Sequence, residues 1–394
     1  MRVEMKKKKM LFISAIQVFP AESGGQLRSA HLTRSFSELG YDVRIFSLTG
    51  RKEDYLNRRP SGEQILGPSL KEFTHRGELY GFLQWLCYRL GLPPLWLVLI
   101  RLLGLPRALK TELVQADFVM IDFPYLYPMK SYFKGPFYVN THNAEFELVA
   151  EGRPFLKALV KKIELKGIAA ADQVLFCNDN DRQVFAKLTP ADLTKFHLLP
   201  NGVDPQSFAP DQGLREKTRR ELGISDEQKV FLFTGSQYAP NKEAFSYLEE
   251  FYKTHQFELS RLNLVVLVVG TVCPEMRNEP HFKVMGRVDS MKGYFLAADF
   301  GLNPIQLGSG TNVKMIEFLA ARLPILSTPF GARGLSFEDQ KSIYYFDRTN
   351  LLSTMEQAGL RSQAELTALT TQAWNSNHAS IDMKEALRSL EISW

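Results

Sequence analysis

The sequence predicts an α/β protein built from two doubly wound domains, and two observations support this prediction. Short runs of β-branched and aromatic residues alternate with longer segments of helical periodicity, as in parallel sheets built from crossover units. The alternation occurs in two similar series, separated by Pro200-Asn201-Gly202, which favours a turn. We therefore expect one domain over residues 1–200, a second over residues 201–378, and a C-terminal helix over residues 379–394 that returns to the first domain.

Each series contains six candidate strands. Those of the first series are Met10–Ile16, Val43–Leu48, Phe118–Asp122, Phe137–Asn140, Gln173–Cys177 and Phe196–Pro200. Those of the second series are Val230–Gly235, Leu264–Gly270, Lys283–Gly286, Asp299–Pro304, Pro324–Pro329 and Ser342–Phe346. Open parallel sheets bind ligands beyond the carboxyl ends of their strands, so we expect the two domains to face a central cleft.

Composition excludes several classes of protein. With 45% apolar and 23% charged residues, the chain is expected to fold. Its three cysteines are far apart and have no second Cys or His at metal-ligand spacing, which argues against a disulfide scaffold and a zinc site. The most apolar stretch, Leu90–Leu105, is interrupted by Arg101 and by Pro93-Pro94, so it does not predict a membrane span. No cleavage pattern follows the first apolar segment, and we expect a cytoplasmic location.

The charge is unevenly distributed along the chain. Residues 1–200 contain 28 Lys and Arg against 20 Asp and Glu, a net charge of +8, whereas residues 201–394 have a net charge of −3. A basic first half favours an anionic surface or substrate, and lipid head groups fit as well as nucleic acid. An ordinary solvated surface is the simpler explanation.

Two loops of the first half contain candidate site residues. Gly24 and Gly25 follow the first strand and precede a helix, where paired glycines let the backbone approach a ligand and the helix N-terminus favours anionic groups. His142, Asn143 and Glu145 follow the fourth strand, and His142 is suited to contact a substrate hydroxyl or a developing charge. An ordinary loop is the alternative interpretation in both places.

The triplet Asp179-Asn180-Asp181 has the form of an Asp-x-Asp metal site, but we interpret it as structural. Asn178 is placed to cap the next helix, and Asp181 would occupy its third position, where the helix dipole favours a carboxylate. No metal ion is expected.

The most informative segment is PIQLGSGTNVKMIEFLAARLPILSTPFGARGL, in which a glycine turn opens a helix. The amides around Gly310, Thr311 and Asn312 can hold a diphosphate at the positive helix end, with the Thr311 hydroxyl and Lys314 adding a donor and a charge. Glu317 lies about a turn and a half farther along and is placed to accept hydrogen bonds from ribose hydroxyls. A helix start that caps itself and packs is the alternative.

This segment, with GRVDSMKGYFLAADFGLNP before it, resembles the donor-binding region of the family-four retaining glycosyltransferases, which have the GT-B fold of two Rossmann-like domains. Four further segments resemble other parts of the same family in matching order: HLLPNGVDPQSFAP, FTGSQYAPNKEA, NTHNAEFE and SGGQLRSAHLTRSFSELGYDVRIFS. The similarity therefore covers nearly the whole chain. The resemblance implies that Gly24 and Gly25 lie under the donor phosphates, that His142 lies near the reacting sugar, and that Glu317 holds the nucleotide ribose.

The chain departs from the family pattern in two places. Typical members have a glutamate at the position that Ser309 occupies in this chain. A sub-branch of the family that carries Gly-Thr-x-x-Lys also lacks this glutamate. Typical members also have an Arg and a Lys after the first strand of the second domain, whereas Ser236 and Asn241 stand here. Lys242 or Lys314 is expected to supply the missing charge.

We therefore expect a retaining glycosyltransferase that uses a nucleotide diphosphate sugar, needs no metal or other cofactor, and does not bind nucleic acid. Preorganised helix-end amides and a lysine can stabilise the departing diphosphate. The acceptor is expected to be a cell-envelope glycan or a lipid-linked intermediate. Two alternatives remain open: a nucleotide-sugar epimerase on the same architecture, and a subunit that binds nucleotide sugars without catalysis.

Residues 81–110 have two interpretations. Trp85 and Trp96, many leucines and four cations, Arg89, Arg101, Arg107 and Lys110, favour contact with an anionic membrane surface. Alternatively, the stretch is a pair of core-facing helices joined at Pro93-Pro94, and in that case its apolar residues serve the fold.

Overall fold

The computed structural model describes residues 7–21, 23–149, 152–189, 192–203, 205–308, 312–390, 392 and 394. The chain forms two compact units. The first comprises Met1–Pro200 together with Met383–Trp394, and the second comprises Asn201–Asp382. The second unit extends past the predicted end at residue 378, because its last helix continues to Ile381.

The first unit is built on an eight-stranded sheet with the order β3-β4-β2-β1-β5-β6-β7-β8. The strands are β1 Lys9–Ser14, β2 Asp42–Ser47, β3 Gly62–Gly67, β4 Leu70–Thr74, β5 Phe118–Ile121, β6 Phe137–Asn140, β7 Gln173–Phe176 and β8 Phe196–Leu198. All neighbouring strands are parallel except β3 and β4, which form an antiparallel hairpin.

Helices cover both faces of this sheet, as the two apolar clusters on either side of it show. They are α1 Gly24–Glu38, α2 Lys52–Leu56, α3 Glu78–Arg89, α4 Ile100–Leu103, α5 Arg107–Gln115, α6 Glu145–Leu148, α7 Pro154–Ala170 and α8 Asp179–Leu188. Short 3₁₀ helices span Leu95–Leu99, Pro124–Tyr132 and Leu193–Lys195.

The second unit has a seven-stranded sheet with the order β11-β12-β10-β9-β13-β14-β15, parallel except for β11. Its strands are β9 Lys229–Thr234, β10 Leu264–Val269, β11 Arg277–Asn278, β12 Phe282–Val284, β13 Phe300–Asn303, β14 Ile325–Ser327 and β15 Tyr344–Tyr345. Its helices are the 3₁₀ helix Pro205–Phe208, α9 Gln212–Leu222, α10 Ala239–Arg261, α11 Lys292–Ala297, α12 Val313–Ala320, α13 Leu351–Gly359 and α14 Gln363–Ile381.

The end of the chain packs on the first unit. The last helix, α15 Met383–Ser389, lies against α1. The Trp394 ring then meets Phe36 edge to face, with 4.9 Å between the ring centroids, and also contacts Tyr138. This aromatic cluster buries the C-terminal segment beside β1 and β5, where it completes one face of the sheet.

The twelve predicted strands and the doubly wound class are confirmed, with strand ends that differ by a few residues. Three strands, β3, β4 and β11, were not predicted. The β3–β4 hairpin lies at a sheet edge and alternates between half-buried and exposed side chains along β3, so no continuous apolar run indicates it. β11 is two residues long and is defined only by its pairing with β12.

Within residues 81–110, it is mainly the second half of the segment that contributes buried side chains to the core. Trp96 is 3% exposed, packs against the Tyr80 ring and donates from Nε1 to Gln84 Oε1 at 2.9 Å, and Leu97 is fully buried. By contrast, Trp85 on α3 and Leu102 on α4 are 50% and 85% exposed. Within the described ranges, no helix has the length and apolar character needed to cross a membrane.

Candidate functional site

In the first unit, the strand order reverses between β1 and β5, which is where doubly wound sheets bind ligands. Asp122 follows β5 at this point and is buried. Its carboxylate accepts hydrogen bonds from Ser14 Oγ at 3.1 Å, Ser29 Oγ at 2.8 Å and Asn140 Nδ2 at 2.8 Å. His142 Nε2 lies 2.8 Å from Asp122 Oδ1. Asp122 is therefore the centre of a buried polar network at the carboxyl edge of the sheet.

The His142 ring is held between two neighbours. The Phe123 ring stacks on it, with 4.5 Å between centroids, and a Cβ built on Gly25 would lie only 3.3 Å from His142 Nδ1. Because the Asp122 carboxylate can only accept, Nε2 donates to it, and Nδ1 is left for another partner. The structure thus places two predicted residues, Gly25 and His142, in direct contact.

The predicted glycines open α1 rather than precede it. Ser23 is the N-cap, and its hydroxyl and the Gln26 side chain form a reciprocal capping box. Gly24 and Gly25 are the first two helical residues, and their amides belong to the set that has no partner within a helix. These amides point out of the helix end, where an anion or a polar ligand group is favoured.

A buried arginine connects the same edge to the end of β8. Arg28 is fully buried, donates from Nε to Asn140 Oδ1 at 2.9 Å and from Nη1 to the Leu199 carbonyl oxygen at 2.7 Å. Burial lowers the pKa of its guanidinium, while Cys177 and Asp122 oppose that shift. Four residues of this network were not predicted from the sequence: Arg28, Ser29, Asn140 and Asp122. Only the position of Asp122 at the end of an apolar strand could have indicated it.

Two buried carboxylates position the loop that contains Asn143 and Glu145. Glu164 on α7 accepts from the backbone amides of Glu145 and Phe146 at 3.1 and 2.9 Å, and Asp181 accepts from the Ala144 amide at 3.1 Å. Burial raises the pKa of Glu164 to about 8.

The two predicted loop residues contact each other. Asn143 Nδ2 donates to Glu145 Oε1 at 3.3 Å. Burial also raises the pKa of Glu145, and the hydrogen bond from Asn143 opposes that shift. Hydrogen bonds with Glu164, Asp181 and Asn143 therefore hold the one-turn helix α6 in place.

The structural interpretation of Asp179-Asn180-Asp181 is confirmed. Asn178 caps α8, and its Oδ1 accepts from the Asp181 amide at 2.8 Å. Asp181 bonds the Asn178 side chain and the Ala144 amide, and Asp179 bonds Arg182. Across the described ranges no group of three or more His, Cys, Asp or Glu side chains is arranged to hold a metal ion.

In the second unit the strand order reverses between β9 and β13. Lys314, in the first turn of α12, is buried at this edge. Its Nζ donates to Asn241 Oδ1 at 2.9 Å and lies 4.2 Å from the centroid of the Phe233 ring. Asn241 Nδ2 in turn donates to the carbonyl oxygen and hydroxyl of Ser236 at 3.2 and 3.4 Å. The two residues that depart from the family pattern therefore form the hydrogen-bonded support of Lys314.

Lys314 and Glu317 have strongly shifted pKa values. Burial lowers the pKa of Lys314 to about 7, and the Glu317 charge opposes that shift. Burial likewise raises the pKa of Glu317 to about 7, against the effect of Lys314. No hydrogen bond reaches the half-buried Glu317 carboxylate from the described part of the chain. Two ionisable side chains with strongly shifted pKa values at a ligand-binding edge are typical of a functional site.

The other predicted residues of the second unit have different surroundings. Asn312 is the N-cap of α12, and its Nδ2 donates to the Gly331 carbonyl oxygen at 2.8 Å. Lys242 is exposed in the first turn of α10. Three predicted residues, Ser309, Gly310 and Thr311, lie outside the described residues.

Two family models match this sequence. The model described as Glycosyltransferase Family 4 matches residues 23–207, and the model described as Glycosyl transferases group 1 matches residues 228–356. Together they include both strand edges described above. The chain belongs to the group 1 glycosyltransferases.

The comparisons with individual proteins agree with this family. D-inositol 3-phosphate glycosyltransferase of Kineococcus radiotolerans is 33% identical over 107 residues, which are 26% of this chain and 24% of that protein. The match therefore spans about a quarter of the length of this relative.

Solved structures show the fold. Anabaena HepE in complex with UDP and glucose is 11% identical, with a TM-score of 0.64 over 97% of this chain and 98% of that one. The UDP-forming α,α-trehalose-phosphate synthase from Burkholderia xenovorans is 13% identical, with a TM-score of 0.62 over 98% of this chain and 100% of that one. The predicted GT-B fold is confirmed.

Proposed function

We propose that this protein transfers a sugar from a nucleotide diphosphate sugar to an acceptor, with retention at the anomeric carbon and without a metal ion. The observation that best supports this proposal is the Lys314–Glu317 pair at the carboxyl edge of the second sheet. A buried ammonium costs stability, and the Glu317 carboxylate has no hydrogen-bond partner in the described part of the chain; a binding function would explain both features. The structures of HepE with UDP and glucose, and with UDP-glucose, support a nucleotide sugar as the donor class.

In this proposal the second unit binds the nucleotide. Lys314 neutralises the diphosphate, and the backbone around Asn312 at the start of α12 adds hydrogen-bond donors. Ser309, Gly310 and Thr311 belong to the same proposed phosphate loop. Glu317 accepts hydrogen bonds from the ribose hydroxyls, for which its unoccupied carboxylate oxygens are suited. Lys242, exposed in the first turn of α10, is a candidate for a further phosphate contact.

The first unit is assigned to the sugar and the acceptor. The His142 ring presents Nδ1 to a sugar hydroxyl, while the hydrogen bond from Nε2 to Asp122 fixes its orientation. The amides of Gly24 and Gly25 are available to the donor phosphates, and Gly25 leaves the space that His142 occupies. Asn143 and Glu145, supported by Glu164, provide polar groups for further hydroxyls.

Retention is proposed to proceed without a protein nucleophile. The acceptor oxygen bonds to the anomeric carbon as the bond from that carbon to the phosphate oxygen breaks, and the acceptor's proton passes to that same phosphate oxygen. Charge then develops on the departing diphosphate, which preorganised amides and Lys314 stabilise. The carboxylates of Asp122 and Glu164 already accept hydrogen bonds within the fold, so neither is assigned to attack.

A panel of UDP-, GDP- and ADP-sugars tests the proposal. We expect one donor class to protect the protein against thermal unfolding and to release nucleoside diphosphate when an acceptor is present. Glu317→Ala should weaken donor binding without a loss of fold, which calorimetry and a melting curve measure separately. Sugar interconversion without transfer would indicate an epimerase, and binding without either reaction would indicate a non-catalytic subunit. Each of these results would refute the proposed transferase activity.

We further propose a cell-envelope glycan or lipid-linked acceptor, reached by peripheral contact with an anionic membrane. Exposed apolar side chains on α3 and α4, which we together name the α3–α4 surface, support this contact. The surface consists of Leu79, Phe82, Trp85, Tyr88 and Leu102. Four exposed cations belong to the same segment: Arg89, Arg101, Arg107 and Lys110. Exposed aromatic residues beside cations suit an interface of lipid head groups.

The neighbouring helix α7 extends this basic character. Arg153, the N-cap of α7, donates from Nη1 to the Leu90 carbonyl oxygen at 3.3 Å, which places the start of α7 beside the end of α3. Phe155 is 89% exposed there, and Lys162 and Lys166 are exposed farther along the helix. The cations of α7 therefore add to those of the α3–α4 surface.

Flotation with liposomes tests the membrane contact. Because Trp96 and Leu97 are buried, substitutions there would unfold the protein, so the informative variant is Trp85→Ser with Leu102→Ser. Wild-type binding should rise with anionic lipid and fall with salt, and this double variant should lose it. Phe257→Ser with Leu360→Ser, at exposed apolar positions of the second unit, is the matched control. Absence of flotation at low salt on strongly anionic liposomes would refute the contact.

A further inference from the structure

A second cation lies at the carboxyl edge of the second sheet, in the loop that follows β14. The Arg333 guanidinium packs over the Phe330 ring, 4.0 Å from its centroid. Nη1 also donates to the Phe330 carbonyl oxygen at 2.8 Å. These two contacts fix the plane and one corner of the guanidinium, so the direction of its other terminal nitrogen is defined.

That second nitrogen points toward the loops that follow β9 and β13. Arg333 Nη2 lies 3.7 Å from the position that a Cβ would take on Gly308, and Pro240 Cγ lies 3.2 Å from the same position. Pro240 precedes Asn241, the residue that accepts the hydrogen bond from Lys314. Arg333 and Lys314 therefore adjoin the first turn of α10 from two different elements.

The loop that contains Arg333 is itself fixed to the proposed donor site. The Gly331 carbonyl oxygen accepts from Asn303 Nδ2 at 3.1 Å and from Asn312 Nδ2 at 2.8 Å. Asn303 ends β13 and Asn312 caps α12, so the loop is tied to both elements between which the diphosphate is proposed to bind. A fixed loop lowers the entropy cost of holding a cation in place.

Arg333 has no acidic partner within the part of the chain that the structure describes. Burial lowers the pKa of its guanidinium, and only Tyr238 opposes the shift. Other partly buried arginines of this unit do pair with carboxylates, and these are Arg215, Arg219, Arg277 and Arg348. A half-buried arginine without a counter-charge, at an edge that binds ligands, is available for an anion.

We propose that Arg333 binds the diphosphate of the nucleotide sugar and provides, together with Lys314, the two positive charges that this group requires. The inference rests on the proposed function and adds a residue and a charge balance to it. The diphosphate of a nucleotide sugar has two negative charges, of which Lys314 neutralises one. Arg333 neutralises the second, in place of the cation pair that Ser236 and Asn241 cannot provide.

Calorimetry with UDP, GDP, ADP and the matching nucleosides tests the inference, using wild type, Arg333→Gln, Lys242→Gln and Arg322→Gln. Arg322 is a matched control because its guanidinium also stacks on a ring, 4.1 Å from the Trp374 centroid, and lies away from this edge. Arg333→Gln should weaken the diphosphate about tenfold to a hundredfold and leave the nucleoside within about twofold. Arg322→Gln should stay within about threefold of wild type for both ligands, and Lys242→Gln should lose less diphosphate affinity than Arg333→Gln.

A pH comparison separates a charge contact from a structural role. Arginine stays charged at pH 8.5, whereas Lys314 is largely neutral there, so the loss in Arg333→Gln should be equal at pH 6.5 and 8.5. Arg333→Lys should restore part of the diphosphate affinity. Equal losses for nucleoside and diphosphate, or a larger loss in Lys242→Gln, would overturn the assignment of Arg333. Failure of wild type to bind any of the three diphosphates would instead refute the proposed function itself.

Discussion

The affinity for a nucleotide sugar should have a maximum near neutral pH, because two buried groups of the proposed site titrate there. Burial lowers the pKa of Lys314 to about 7, so its ammonium is present below that pH and lost above it. Burial raises the pKa of Glu317 to about 7, so its carboxylate is present above that pH and lost below it. Binding as proposed needs both charges, and their titrations belong to the pair.

The size of the effect follows from these values. About 1.5 pH units from the midpoint, one of the two groups keeps only about 3% of the required charge, whereas about half of each group is charged at the midpoint, so the loss of affinity relative to pH 7 is limited to roughly 8-fold. A charged hydrogen bond contributes about 1.5–3 kcal/mol, or roughly 10- to 100-fold, so the contact energy allows a loss of this size. We therefore expect affinity to fall by about 5- to 8-fold at pH 5.5 and again at pH 8.5, relative to pH 7.

Calorimetry with UDP-glucose, or with the nucleotide sugar that binds best, measures this profile at constant ionic strength. Glu317→Gln should abolish the acidic limb and move the alkaline limb to lower pH, since the Glu317 charge raises the pKa of Lys314. Lys314→Met should abolish the alkaline limb. A flat profile in the wild type, or limbs that persist in the corresponding variants, would show that these groups do not contact the donor.

Three further predictions follow from the same two edges. Lys314→Met should raise the free energy of unfolding at pH 7 by about 1–3 kcal/mol in urea titrations. The unfolded chain holds the Lys314 proton up to a pKa near 10.5, whereas the folded chain releases it near 7, so the ammonium destabilises the fold at pH 7. A lower free energy of unfolding in Lys314→Met would contradict the burial of this ammonium. Gly25→Ala should lower kcat by displacing the His142 ring, with a melting temperature close to that of wild type, whereas Gly213→Ala, also at the second position of a helix, should leave kcat unchanged. Asp122→Asn should lower the free energy of unfolding by about 2–4 kcal/mol, because the new amide group would face the donors of His142 and Asn140. A free energy of unfolding within about 0.5 kcal/mol of wild type would contradict the hydrogen-bond network of Asp122.

The sequence predicts the buried parts of this fold better than its edges. β10 is fully buried on both faces and appears in the sequence as LVVLVV, so its pattern needs no tertiary information. The β3–β4 hairpin is half exposed at a sheet edge, and its pairing depends on β2 as a template. Local pattern therefore identifies strands that must be apolar throughout and misses strands that are formed by their neighbours.

The same distinction applies to the proposed sites. Four proposed site residues lie beside glycines or near helix starts, where local sequence indicates a ligand-binding loop: Gly25, His142, Lys314 and Glu317. Asp122 has only one local signal, its position at the end of an apolar strand, because its role depends on donors from three separate segments. The burial that shifts the pKa values of Lys314 and Glu317 is likewise a property of the packed unit.

The departures from the family pattern have a common physical explanation in the structure. With Asn241 in place of a lysine, its Oδ1 can accept from Lys314 Nζ at 2.9 Å, and Ser236 accepts from the Asn241 amide. A cation at position 241 would instead repel the Lys314 ammonium at this distance, in a setting where burial already disfavours that charge. The neutral pair and Lys314 are therefore mutually dependent: the positive charge is relocated from the loop after β9 to the first turn of α12. Returning a lysine with Asn241→Lys should consequently weaken donor binding in this chain, and combining it with Lys314→Met should restore part of what is lost.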